Sequence, residues 1–222
     1  MKKAFTMLEL VFVIVVIGIL AAVIIPRIGS NKLQEAAIQV VSHIRYTQHL
    51  ALVNDRLNTA DSEWYKDRWQ IFFASTDGSE GAWAYSIFSD NAGDSTGNPD
   101  FVEIAKNPLN SSKYLTGGYS YILYSDSRVT KELNIGKKYG ITNVAFSTSC
   151  SVSGSTRIAF DHLGRPLRGA FHNYSSAYPA TDRLVNSQCT ITLTDGSDNV
   201  AIAIEPETGY ACVLNSAGTG CI

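Results

Sequence analysis

Phe5-Thr6-Met7-Leu8-Glu9-Leu10-Val11-Phe12-Val13-Ile14-Val15-Val16-Ile17-Gly18-Ile19-Leu20-Ala21-Ala22-Val23-Ile24-Ile25 is the stretch on which the reading of the fold turns. It carries one charge, Glu9, and from Leu10 to Ile25 every residue is apolar or glycine. As a helix the run is about 30 Å long, the thickness of a bilayer's hydrocarbon core. Lys2 and Lys3 precede it and favour keeping that end on the cytoplasmic side. A secretory signal peptide needs a short apolar core and a small-residue cleavage site; Ala21-Ala22-Val23 supplies the site, but the apolar run continues past it. A plain anchor leaves Glu9 without a reason, because a carboxylate in a membrane helix costs about 3 kcal/mol on insertion scales and is normally there for a partner.

Outward from this run the pattern changes twice. From Ile28 to about Asn54, Leu33, Ala37, Val40, Val41, Ile44 and Ala51 recur at three- and four-residue spacing, while Lys32, Glu35, Gln39, Arg45 and Gln48 fall mostly elsewhere. This is an amphipathic helix with one face to bury. His43 and His49, six apart, do not share a face, so no metal pair is expected from them. From Trp64 onward the period becomes two. Arg68–Ala74 and Ala82–Phe88 read as a hairpin joined by Thr76-Asp77-Gly78-Ser79-Glu80-Gly81. Further strands are expected at Tyr119–Tyr124, Asn143–Ser147, Thr156–Phe160, Thr190–Leu193, Val200–Ile204 and Tyr210–Leu214, with exposed loops near 90–100 and 107–118. The fold class is α+β: a long N-terminal helix, membrane-spanning in one half and amphipathic in the other, packed on a C-terminal antiparallel β-sheet domain.

Composition narrows the function classes. Hydrophobic residues make up 45% of the 222 and charged residues 17%, below the usual level of about 25% because one segment carries almost no charge. A formal net charge of -2 disfavours a globally basic nucleic-acid binder but allows a local basic patch. Only one stretch is apolar enough to cross a bilayer, which excludes a multi-span protein.

Lys2-Lys3-Ala4-Phe5-Thr6-Met7-Leu8-Glu9-Leu10 followed by Val11–Ile25 resembles the N-terminus of type IV pilins and type II secretion pseudopilins. The resemblance implies the pilin fold, with residues 1–4 a leader, 5–26 a transmembrane and assembly helix, 27–55 an amphipathic helix and 56–222 a periplasmic β-rich body. It implies cleavage by prepilin peptidase between Ala4 and Phe5 and N-methylation of Phe5, although Ala4 stands where the family usually has glycine. It implies that Glu9 pairs with the new amine of a neighbouring subunit, and that Pro26 is the helix-kinking proline. Loss of Lys2 and Lys3 from the 18 basic residues leaves 16 against 20 acidic ones, a net charge of -4. Arg157-Ile158-Ala159-Phe160-Asp161-His162-Leu163-Gly164-Arg165-Pro166 resembles the hairpin of H-type minor pseudopilins and FimT-like minor pilins, and Ile202–Tyr210 resembles their C-terminal strand–turn–strand. The implied location is the bacterial inner membrane, single-pass, with the body in the periplasm. The implied partners are other pilins or pseudopilins, prepilin peptidase and an inner-membrane assembly platform.

Cys150, Cys189, Cys212 and Cys221 lie in the last third, without CxxC spacing, so disulfides are expected in an oxidising compartment rather than a zinc site. Three connectivities are open; Cys150–Cys189 and Cys212–Cys221 are favoured, the latter closing a short terminal loop. No catalytic, phosphate-binding or dinucleotide motif is found, and neither an enzyme nor a cofactor is expected. Asp90, Asp94, Asn98 and Asp100 share one loop, but their spacing departs from the EF-hand pattern, and a solvated loop is the favoured reading. Some FimT-like minor pilins bind incoming DNA through a GRxR motif. Here Gly164-Arg165-Pro166-Leu167-Arg168 has one residue more, and Arg165, Arg168, Lys137 and Lys138 are the candidate phosphate contacts. The expected function is a structural subunit, a minor pseudopilin of a type II secretion-like pseudopilus or a type IV pilus; the alternative is a DNA-binding minor pilin of an uptake apparatus.

Overall fold

Thr6 and Glu9 start the first helix. The structure, a computed structural model, describes residues 6–29, 31–54, Arg56, Asn58, 60–90, 96–178 and 183–222, and for 21–29 and Asn31 the backbone alone. Helix α1 spans Met7–Gly29 and α2 spans Asn31–Val53. In α2 the residues Leu33, Ala36, Ala37, Val40, Val41, Ile44, Thr47 and Ala51 are buried, the stripe that three- and four-residue spacing produces on a helix.

That stripe lies against two four-stranded antiparallel sheets. The first is formed by β1 (Trp69–Ser75), β2 (Trp83–Ser89), β6 (Arg157–Phe160) and β7 (Pro166–Arg168), in the order β2-β1-β6-β7. The second contains β5 (Asn143–Phe146), β8 (Cys189–Thr194), β9 (Asn199–Ile204) and β10 (Ala211–Val213), in the order β10-β9-β8-β5. Side-chain alternation sends Ile71, Phe73, Ile158 and Phe160 from the first sheet, and Ile191, Leu193, Ile202 and Ile204 from the second, into one apolar cluster with α2. A third, two-stranded sheet is made by β3 (Lys106–Asn107) and β4 (Asn110–Tyr114). The short helix α3 (Ile135–Tyr139) packs on β2.

Two expectations are corrected. A single long helix laid on one antiparallel sheet is not what the chain forms. The strands divide among three antiparallel sheets, and every described side chain of α1 from Met7 to Leu20 is exposed rather than packed. The reason lies beyond residue 60, where several short strands with inward and outward alternation need more than one sheet to bury their apolar faces. Among the described residues no helix is long and apolar enough to cross a membrane. The single-pass inner-membrane localisation, with residues 5–26 as its span, is corrected on that ground.

Smaller differences have local causes. Tyr119–Tyr124 is a turn rather than a strand, with Gly118 at φ 107° and Ser120 at φ 43° breaking the extended backbone. The stretch 107–118 contains β4 and ends in the buried residues Leu115, Thr116, Gly117 and Gly118, so it is not wholly an exposed loop.

Candidate functional site

The feature that sets this chain apart is α1. Leu8, Phe12, Ile19 and their neighbours from Met7 to Leu20 are exposed on every side of the helix, Phe12 at 69%. An all-round apolar helix is normally buried, and an uncovered apolar surface of this size marks an interaction site. At its start the Thr6 backbone N–H and hydroxyl both donate to Glu9 Oε2 at 2.8 Å, and the Glu9 N–H donates to Thr6 Oγ1 at 3.3 Å. This is a capping box, Thr at the N-cap and Glu three residues on, satisfying donors that a helix N-terminus leaves free. The two Thr6 bonds hold the Glu9 carboxyl below the usual carboxylate range. Glu9 is thus ionised, exposed, and engaged within its own helix. Ala4 and Phe5 lie outside the described residues, and Pro26 lies in the last turn of α1.

The hairpin between β6 and β7 turns through Asp161, whose buried carboxylate accepts from the N–H groups of Leu163 and Arg165 and from Arg165 Nε at 2.8 Å. Arg165 also lies 5.8 Å from the Tyr178 ring, and Arg168 Nη1 donates to the carbonyls of Thr148 and Ser149. Gln48 of α2 donates from Nε2 to the carbonyls of Gly164, at 2.8 Å, and Thr208, at 2.7 Å, tying both turns to the helix. Lys137 pairs with Glu80 and lies 4.7 Å over Tyr124, while Lys138 is exposed on α3. Arg165 and Arg168 belong to the β7 edge of the first sheet and the two lysines to a helix on its β2 edge. Three strand spacings, about 14 Å, separate those edges. The structure therefore does not gather the four cations into one patch, and three of the four are spent on internal contacts.

Cys150 pairs with Cys189, Cα atoms 5.0 Å apart, and Cys212 with Cys221 at 5.6 Å. The first bridge fastens the loop after β5 to the start of β8; the second closes the terminal loop onto β10. Of the loop carboxylates, Asp94 lies outside the described residues. Asp90 is buried and accepts from the Gly97 N–H at 3.1 Å, Asn98 accepts from the Tyr119 hydroxyl at 2.7 Å, and Asp100 accepts from the Tyr121 hydroxyl. Among the described residues no group of His, Cys, Asp or Glu could hold a metal ion.

Sequence reasoning missed a part-buried polar chain between α2, β2 and α3. Tyr139 donates to Gln39 Oε1 at 2.7 Å, Gln39 Nε2 donates to the Tyr85 oxygen at 2.8 Å, and that oxygen lies 2.6 Å from His43 Nδ1. Burial pushes His43 down to about 4 and the Tyr85 phenol up. It also missed Arg68 and Arg157, both almost fully buried, each stacked on aromatic rings. The one available signal was their place at and beside strands that otherwise read as core. No family model matches the chain, and no curated protein or solved structure matches it.

Proposed function

We propose that this chain is a structural subunit of a helical filament of the type II secretion pseudopilus or type IV pilus kind, a minor pseudopilin processed by prepilin peptidase between Ala4 and Phe5 and assembled through its N-terminal helix. The observation that supports this reading is the uncovered apolar surface of α1 beside a body whose own core is complete without it. Copies of α1 packed together would bury that surface at about 25 cal/mol per Å2, while the two sheets face outward. Glu9 is the one charge on that surface, ionised and at the helix end where a neighbour's free amine would find it. The role is architectural rather than catalytic. Mass spectrometry of the mature chain tests the processing step: a methylated Phe5 at the N-terminus is expected, and an intact Met1 or a cut after Ala22 refutes it. Cysteines placed at Val13 and Ile17 test the assembly step. Cross-links between chains in assembled material are expected, and their absence counts against packing through α1.

A further inference from the structure

The face of the first sheet turned away from α2 carries groups that filament assembly does not use. Because Ile71, Phe73, Ile158 and Phe160 point into the core, the alternate residues Phe72 and Arg157, partners in the β1–β6 register, point the other way. There they line an open cleft of about 400 Å3 together with the turn from Val152 to Thr156, Asn173 and Arg183. Arg157 is 5% exposed and firmly held. Its Nη1 donates to the Gly97 carbonyl at 2.5 Å and to Gln70 Oε1 at 3.2 Å, and its guanidinium lies 4.0 Å over the Phe72 ring. Its Nε is buried with no hydrogen-bond partner, and so is Ser155 Oγ in the adjoining turn. Arg183, half-buried at the same cleft, is steadied 5.0 Å over the Tyr174 ring.

Two guanidinium groups among the lining residues, with no carboxylate beside them, make a concave, positive surface, and an unpartnered N–H of Arg157 and hydroxyl of Ser155 lie buried just behind it. Leaving such donors without a partner costs free energy, and a charged acceptor returns more than a neutral one. Asp90, the carboxylate whose charge reaches Arg157, is pushed up to about 7 by its own burial and then by Glu103, so near neutral pH it offsets Arg157 only in part. The cleft is at the small end of ligand sites. We propose that it binds a small oxyanion, a phosphate or carboxylate group carried on a compact ligand, between Arg157 and Arg183.

Calorimetric titration of the full chain with inorganic phosphate and, separately, with acetate tests this in chloride buffer. Saturable one-to-one binding of at least one probe is expected, weakening as salt rises. Which probe binds tells phosphate from carboxylate recognition. Arg183→Glu reverses the charge at the half-buried side of the cleft, giving up its contact with the Tyr174 ring, and should weaken binding at least roughly tenfold. Asn173→Leu, at another lining position, should also weaken it. A thermal midpoint raised by the probe in the wild type and unmoved in Arg183→Glu is the independent readout. Failure of both probes to bind, or equal affinity in wild type and both folded variants, overturns the proposal.

Discussion

Glu9 carries two roles that one substitution can separate. It closes the capping box with Thr6, and it is the one charge in the exposed apolar run from Met7 to Leu20. Gln serves a capping box nearly as well as Glu but has no charge. Glu9→Gln should therefore leave the start of α1 intact and still reduce incorporation into filaments, read by electron microscopy or pelleting. Normal incorporation of the variant would assign Glu9 to the cap alone. His43 makes a different kind of prediction. Its folded pKa of about 4 lies below the ordinary histidine value of 6.5, so the folded chain keeps it neutral while the unfolded chain takes up a proton. The stability it supports is complete above about pH 6.5 and is lost as pH falls toward 4, by roughly 3 kcal/mol over that window. Asp90, raised to about 7, acts in the opposite sense over much of the same range. The wild type must therefore be compared with His43→Gln, which shares Asp90; urea midpoints should fall with acid more steeply in the wild type. Gly209 has φ 63°, and a Cβ there would sit 2.5 Å from both the Gly164 carbonyl oxygen and Gln48 Nε2. Gly209→Ala should cost at least about 2 kcal/mol. Gly81→Ala, at φ 71° in open space, should cost only about 1 kcal/mol by the same denaturation measurement.

Among the elements, α2 decides how the body holds together. Ile44 is fully buried between the two sheets and Ile38, on the same helix, is 57% exposed. Ile44→Ala should destabilise by about 3 kcal/mol and Ile38→Ala by no more than about 0.5 kcal/mol. This helix was legible from its spacing alone, and so was the β1–β2 hairpin, whose alternating Ile71, Phe73, Tyr85 and Ile87 bury one face. The β3–β4 hairpin was not legible: Asn110, Ser111 and Ser112 are exposed and carry no apolar alternation to read. The division into separate sheets was hidden for a related reason. Residue patterns report which face of a strand is buried but not which strand lies beside it, and β1 pairs with β6 across more than eighty intervening residues. At the candidate sites, the spacing Thr6-x-x-Glu9 already spells a capping box, yet its interest as a lone charge masked that. The oxyanion cleft had no linear signature, because Phe72, Arg157, Asn173 and Arg183 meet only through strand pairing and loop closure.

Over the whole molecule, covalent and polar ties supplement the shared core. In the chain-entropy account the Cys150–Cys189 bridge, 39 residues apart in sequence, should stabilise by about 4 kcal/mol and the Cys212–Cys221 bridge, 9 apart, by about 3 kcal/mol. Double alanine replacement of the first pair should accordingly lower the denaturation midpoint more than replacement of the second. Gln48 has a consequence of another kind. Its one amide group grips the turn before β7 and the turn before β10, and Arg45, a turn earlier, donates from Nε and Nη2 to the Ala211 carbonyl. If a filament is pulled through its helices, tension entering along α2 is shared between both sheets at these two side chains. The body would yield in shear across several hydrogen bonds at once rather than peel open strand by strand.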